Sequence, residues 1–151
     1  IFKGFTMKIQ IINGPNINLL GTREPHIYGS ESLEDIKKWF EGEIDTTSHL
    51  VHWFQSNHEG EIIDQIHKTI NAFNGIIINA GALTHYSYAI RDAIKSVNIP
   101  TVEVHLSDIT SREDFRKISV ISDVCINQIK GIGKNGYLKA FKLLMEHTNQ
   151  E

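Results

Sequence analysis

From Met7 onward, short runs rich in Ile, Val and aromatic residues alternate with longer runs in which apolar residues return every three or four positions. The first kind predicts strands at Lys8 to Asn13, Leu50 to Ser56, Gly75 to Asn79, Thr101 to Leu106 and Asp123 to Ile129. The second kind predicts helices. Leu33, Ile36, Phe40 and Ile44 mark the first, and Ile62, Ile63, Ile66, Ile70 and Phe73 the second. Tyr86, Ala89, Ile90, Ala93, Ile94 and Val97 mark the third, and Leu138, Phe141 and Met145 the last. The punctuation agrees: Ser32 with Asp35 has the spacing of a capping box, Asn74-Gly75 that of a helix stop, and Pro100 precedes the fourth strand. Ile1 to Thr6 stand ahead of the pattern and are expected to be an expression remnant or leader, outside a single domain at residues 7–151.

Strand and helix in strict alternation predict a parallel sheet with helices on both faces, because parallel neighbours need crossover connections. Five such strands predict an α/β, flavodoxin-like three-layer sandwich with a five-stranded parallel sheet. Ligands of these sheets bind outside the carboxyl ends of the strands. Those ends are polar here: Asn13, then Gln55-Ser56-Asn57-His58-Glu59, then Asn79, then Glu103-Val104-His105-Leu106-Ser107.

Composition narrows the function classes. The 151 residues carry 15 basic and 18 acidic side chains, a net charge of -3, so the excess of positive charge expected of a nucleic-acid or anionic-membrane binder is missing. No apolar run approaches the roughly 18 to 20 residues of a membrane span, and no signal-peptide pattern opens the chain. The single cysteine, Cys125, excludes an intramolecular disulfide and a thiolate-rich metal site. A cytoplasmic location is expected.

Three features carry chemistry. The connection from Gly14 to Glu31 has 18 residues where such loops usually have about 2 to 6, which predicts a lid or binding loop. Its glycines fit neither the dinucleotide fingerprint nor the P-loop. Of the four arginines, Arg23 lies in this loop and Arg112 and Arg116 follow the fourth strand, an arrangement suited to an anionic small molecule. None of the eight histidines shows metal-ligand spacing, but His85 and His105 lie at strand ends. Glu103 is two residues from His105 and shares its face of the strand, which supplies the carboxylate support of a general acid.

The segments Asn13-Gly14-Pro15-Asn16, Arg23-Glu24-Pro25 with Tyr28-Gly29, Gln55-Ser56-Asn57, Asn79-Ala80-Gly81 with Thr84-His85, Arg91-Asp92-Ala93, Glu103 to Ser107, and Arg112-Glu113 with Phe115-Arg116 follow one another in the order of a known family. Together they resemble type II 3-dehydroquinate dehydratase, over Met7 to about Met145. The resemblance implies dehydration of 3-dehydroquinate to 3-dehydroshikimate by trans elimination through an enolate, with no metal or organic cofactor. It implies Tyr28 as base, Arg23 and Arg112 stabilising its phenolate, Asn16 orienting a water at the enolate oxygen, and His105, held by Glu103, as acid. It assigns Asn79, His85, Leu106, Ser107 and Arg116 to substrate carboxylate and hydroxyls, and Asp92 to a neighbour's site across a trimer interface. Such proteins are typically dodecamers, tetramers of trimers.

The chain departs from the commoner pattern at Asp108, Tyr86 and Lys117-Ile118-Ser119-Val120. None of these removes a proposed catalytic group. Physical chemistry permits the implied base: making a phenolate near pH 7 costs about 4 kcal/mol, and a positive charge about 4 Å away at an effective dielectric near 20 offsets about as much. The fold by itself also suits a flavin or phosphate-binding module without dehydratase activity.

Overall fold

The computed structural model describes residues 6–22 and 24–150. Among these, strands β1 (Met7–Asn13), β2 (His49–Gln55), β3 (Gly75–Asn79), β4 (Thr101–His105) and β5 (Asn127–Lys130) form one sheet in the order β2-β1-β3-β4-β5, every neighbouring pair parallel. This is the doubly wound order in which connections leave the first and third strands on opposite faces. Helices α1 (Pro25–Tyr28), α2 (Leu33–Glu43), α3 (Glu59–His67), α4 (Tyr88–Val97) and α5 (Asn135–Asn149) complete the chain, with short 3-10 turns between.

Alternation along the strands builds two cores. Ile9, Ile11 and Ile77 face one side, where Ile36 and Phe40 of α2 and Tyr137, Ala140, Phe141 and Leu144 of α5 cover them. Ile12, Ile76 and Ile78 face the other, against Ile62 and Ile66 of α3 and Ile90, Ala93 and Ile94 of α4. Each fully buried isoleucine stabilises the fold by about 1.5–3 kcal/mol relative to exposure. With both faces covered, β3 reads as a continuous apolar run and stands out in the sequence for that reason, whereas β1 carries Lys8 and Gln10 among its apolar residues.

The capping box at the start of α2 is present: Asp35 N donates to Ser32 Oγ, and Ser32 N donates to Asp35 Oδ2, both at 3.0 Å. Other boundaries differ from expectation. The second helix ends at His67, not at Asn74, because Thr69 Oγ1 bonds the Ile66 carbonyl and Asn71 turns left-handed (φ 59°). Ile70 is therefore exposed. Asn74 instead accepts the Lys8 N–H at 2.8 Å, fixing the start of β3 beside β1. Tyr86 lies outside the third helix, which starts at Tyr88 with the Ser87 hydroxyl accepting the Ile90 N–H. The last strand begins at Asn127, not Asp123. Residues 122–124 form a 3-10 turn, since the Val124 and Cys125 N–H groups bond the Ile121 and Ser122 carbonyls and are unavailable to a ladder, while Ser119 Oγ accepts the N–H groups of Ile121 and Ser122 at its start. In the last helix the buried stripe is Tyr137, Ala140, Phe141 and Leu144, with Leu138 and Met145 only partly buried.

The expected leader falls mostly on residues 1–5, outside the described residues. Thr6, counted with it, donates its N–H to Ser48 O at 2.7 Å and so prolongs the β1–β2 pairing.

Candidate active site

The sheet register gathers the polar strand ends. Asn13 stands opposite Gln55 on one side and Asn79 on the other. Past Asn13 the chain runs so close to β3 that a Cβ on Gly14 would lie 2.5 Å from the Ala80 carbonyl oxygen, so no larger residue fits there. Asn16 then turns left-handed (φ 71°), its N–H donating to Asn57 Oδ1 at 3.0 Å. The long loop is not structureless. It contains a 3-10 turn at Ile17–Leu19 and the four-residue α1, opened by Pro25 at a position where its missing N–H costs nothing. Tyr28 is the last residue of α1.

A small pocket with a cavity volume of about 40 Å³ opens at this edge. Asn16, Tyr28, Asn79, His85, His105, Leu106, Ser107, Arg112 and Arg116 all line it. Glu103 stands behind His105, fully buried, and His105 Nε2 bonds its Oε2. Asp92 is exposed on α4 and takes no part in the lining. His85 closes a 3-10 turn and Asp92 lies in α4, with Tyr86 and Ser87 between the two elements, so the two residues do not share one helical face. Arg23 lies outside the described residues.

Two halves of the pocket carry opposite chemistry. On the loop side, Arg112 Nη1 donates to the Tyr28 hydroxyl at 2.7 Å and reaches Ser107 Oγ at 3.4 Å, while its guanidinium carbon sits 5.2 Å from the centre of the Tyr28 ring. A guanidinium bonded to a phenol oxygen stabilises that oxygen as an anion. On the sheet side, the Glu103 carboxylate accepts from Ser119 Oγ at 2.9 Å and Gln128 Nε2 at 3.1 Å as well as meeting His105.

His85 closes a third wall. Its Nδ1 lies 2.7 Å from the Ile118 carbonyl, which can only accept, so Nδ1 carries the hydrogen. Burial, together with the nearby His105 and Arg116, holds its pKa below the ordinary imidazole value of 6.5. The neutral ring therefore leaves Nε2 as a hydrogen-bond acceptor near pH 7. Arg116 is tied to Glu113 and lies over the Phe115 ring, which meets the edge of His85.

The family model for Dehydroquinase class II matches residues 7–145. The chain belongs to the class II dehydroquinase family. A relative from Clostridium beijerinckii, named 3-dehydroquinate dehydratase, is 55% identical over 139 residues, covering 91% of this chain and 95% of that protein. One from Thermotoga petrophila with the same name is 51% identical over 144 residues, covering 95% and 99%. The crystal structure of a type II dehydroquinase from Butyrivibrio crossotus superposes with a TM-score of 0.88 at 50% identity, over 91% of this chain and 97% of that one.

Within this class II dehydroquinase, the structure adds three residues that sequence reasoning had not placed at the site. Tyr137 is fully buried on α5, accepts from Asn79 Nδ2 at 3.3 Å and donates to Asn13 Oδ1. Burial pushes its hydroxyl well above the usual tyrosine range, so it stays a neutral donor. Ser119 and Gln128 are the other two. Gln128 is the β5 partner of Glu103 in the sheet register, a signal legible only once β4 and β5 are paired.

Proposed function

We propose that the protein dehydrates 3-dehydroquinate to 3-dehydroshikimate, with Tyr28 as base and His105 as acid. The observation that carries this reading is the Arg112 to Tyr28 hydrogen bond in a pocket whose other wall holds the Glu103–His105 pair. The Tyr28 phenolate removes a proton from C2, and the electron pair moves toward the C3 carbonyl to give an enolate. Asn16 orients a water at the enolate oxygen. His105 gives a proton to the C1 hydroxyl, which departs as water while the enolate collapses to the conjugated enone. The proton taken by Tyr28 returns to solvent and His105 regains one, so the balance is substrate to enone plus water.

Arg23 joins Arg112 in holding the phenolate. Asn79, His85, Ser107, Arg116 and the backbone at Leu106 receive the substrate carboxylate and hydroxyls. His85 does so through the Nε2 acceptor described above. The lining contains no lysine, which supports elimination through an enolate over an imine. The reaction requires neither metal nor organic cofactor, and the partner is a small anionic molecule, not nucleic acid or a membrane. Among the described residues, no helix is long and apolar enough to cross a membrane. The site of action is the cytoplasm.

The working form is an oligomer of trimers, a dodecamer, in which Asp92 serves a neighbouring subunit's pocket. Support comes from apolar side chains left in solvent where two segments meet at His85: Tyr86, Tyr88, Phe115 and Ile118 are 62%, 65%, 57% and 66% exposed. Adding 3-dehydroquinate and following the ultraviolet absorbance of the enone, with a strong chelator present, tests the reaction. Activity that vanishes with chelator and returns with zinc overturns it. Mixing Asp92→Ala with Tyr28→Phe chains after dissociation tests the shared site: recovered activity supports it, and none, with mixing confirmed by mass, counts against it.

A further inference from the structure

We propose that Ser119 and Gln128 are positioning residues that hold Glu103 as the carboxylate and so place the proton of the Glu103–His105 pair on His105. This rests on the reading of His105 as the acid. A buried carboxyl facing an imidazole has two arrangements of one proton: carboxylate with imidazolium, or neutral acid with neutral imidazole. Only the first leaves a strong acid for the departing hydroxyl.

The hydrogen bonds around Ser119 decide between them. Its Oγ receives the backbone N–H groups of Ile121 at 3.3 Å and Ser122 at 3.1 Å, which occupies both lone pairs. The hydroxyl hydrogen is then committed to Glu103 Oε1, 2.9 Å away. Ser119 can donate to Glu103 but cannot accept from it, so a proton on Oε1 has nowhere to go. Gln128 Nε2 is likewise a donor, 3.1 Å from Oε2, the oxygen that His105 contacts. The sheet register holds Gln128 there, because its Cα is the β5 partner of Glu103. Donation to a carboxylate is about twice as strong as donation to a neutral group, so both contacts favour the ionised acid. His105 Nε2 is thus the protonated partner, and Nδ1 is the nitrogen left to deliver a proton into the pocket.

The surrounding charges make this help necessary. Arg112 and Arg116 line the same pocket and oppose positive charge on His105, while His85 beside them is neutral near pH 7. Lys130 is the β5 partner of His105, exposed on the far strand. Cys125 feels the Glu103 charge, and burial together with that charge keeps its thiol neutral. Apart from its own donors, Glu103 is the group in this cluster that favours the imidazolium.

The test compares Gln128→Met, Ser119→Ala and the hydroxyl-retaining Ser119→Thr with wild type. Rate profiles against pH are recorded, and the His105 ring nitrogens are followed by nitrogen-15 NMR in the free enzyme. Without a donor, the proton moves toward Glu103 and the pair holds its last proton to higher pH. In Gln128→Met and Ser119→Ala the plateau kcat is expected to fall about tenfold, a fraction of the ~100-fold or more of a positioned acid, with KM unchanged. The alkaline limb moves to higher pH, and Nε2 shifts toward the unprotonated position. Ser119→Thr stays near wild type. If Ser119→Ala does not fold, Gln128→Met decides. Folded variants with an unmoved limb and unmoved ring nitrogens, even if melting earlier, overturn the proposal. His105→Ala separates the two readings. If it retains its rate, the acid assignment fails, and the NMR shift alone then decides where Ser119 and Gln128 place the proton.

Discussion

The groups proposed as acid and as base of this pocket are built in different ways. Glu103 and His105 lie inside a central strand, both buried, with the carboxylate accepting from Ser119, Gln128 and His105. Tyr28 closes a four-residue helix within a long connection, and its hydroxyl is held by Arg112, which is itself in a loop. The acid is thus part of the fold, and displacing it means opening the sheet. The proposed base is brought to the site by a connecting segment outside the sheet, held there by side-chain contacts to Arg112 and Lys134.

Mutations that damage the fold on one side and only turnover on the other probe this contrast. The largest effect belongs to Glu103→Ala, which leaves a buried imidazole, a hydroxyl and an amide without their acceptor. It is expected to cost about 3 kcal/mol or more of stability, measured as a lower denaturant midpoint, along with activity. Tyr28→Phe is expected to lower kcat by about 100-fold or more with KM and melting temperature nearly unchanged. A loss of stability like that of Glu103→Ala would erase the distinction between the two sides.

A smaller effect comes from pH. The folded state holds His85 below its ordinary value of 6.5, so on acidification the unfolded chain takes up a proton first. Stability falls as pH drops through that value and levels off below the folded pKa. Over the same range, protonation removes the Nε2 acceptor. KM is expected to rise on acidification in wild type more than in His85→Asn, as read from steady-state kinetics. An identical pH dependence in the two would remove His85 from substrate binding. The smallest effect is expected at Lys134, whose Nζ meets Glu31 at 3.0 Å and ties the end of the long loop to the start of α5. Both partners are partly exposed, so Lys134→Ala should change KM by no more than about fivefold, the equivalent of about 1 kcal/mol, and less in high salt.

The residues themselves made the acid side legible in part, while on the base side Tyr28 was singled out only by the family resemblance. Glu103 and His105 are polar residues interrupting an apolar strand, and period-two alternation put them on one face. Their donors were hidden, because Gln128 reaches Glu103 through a strand pairing and Ser119 through a turn that the sequence pattern merges into the last strand. Tyr137 was hidden differently. It belongs to the apolar stripe of α5, and nothing in helical spacing says that its hydroxyl reaches Asn79. For the loop, length alone pointed to a lid or binding loop, but α1 was too short to leave a periodic signal. The strands β1 and β3 were located within one residue, β3 because burial on both faces writes it as an unbroken apolar run and β1 because its isoleucines cluster in a short β-rich stretch.

Gly14 sets a limit of another kind. A Cβ there would collide with the Ala80 backbone, not with a movable side chain, so the gap between the two crossovers at this edge is a main-chain dimension. Side chains around the pocket can be exchanged by drift or by design, and the preferred ligand can change with them. The span from the Asn16 segment to the Asn79 segment stays the same as long as residue 14 has no side chain. A library built on this scaffold can therefore randomise the walls freely, but a gauge of its width sits at one glycine, and widening it takes a rebuilt turn.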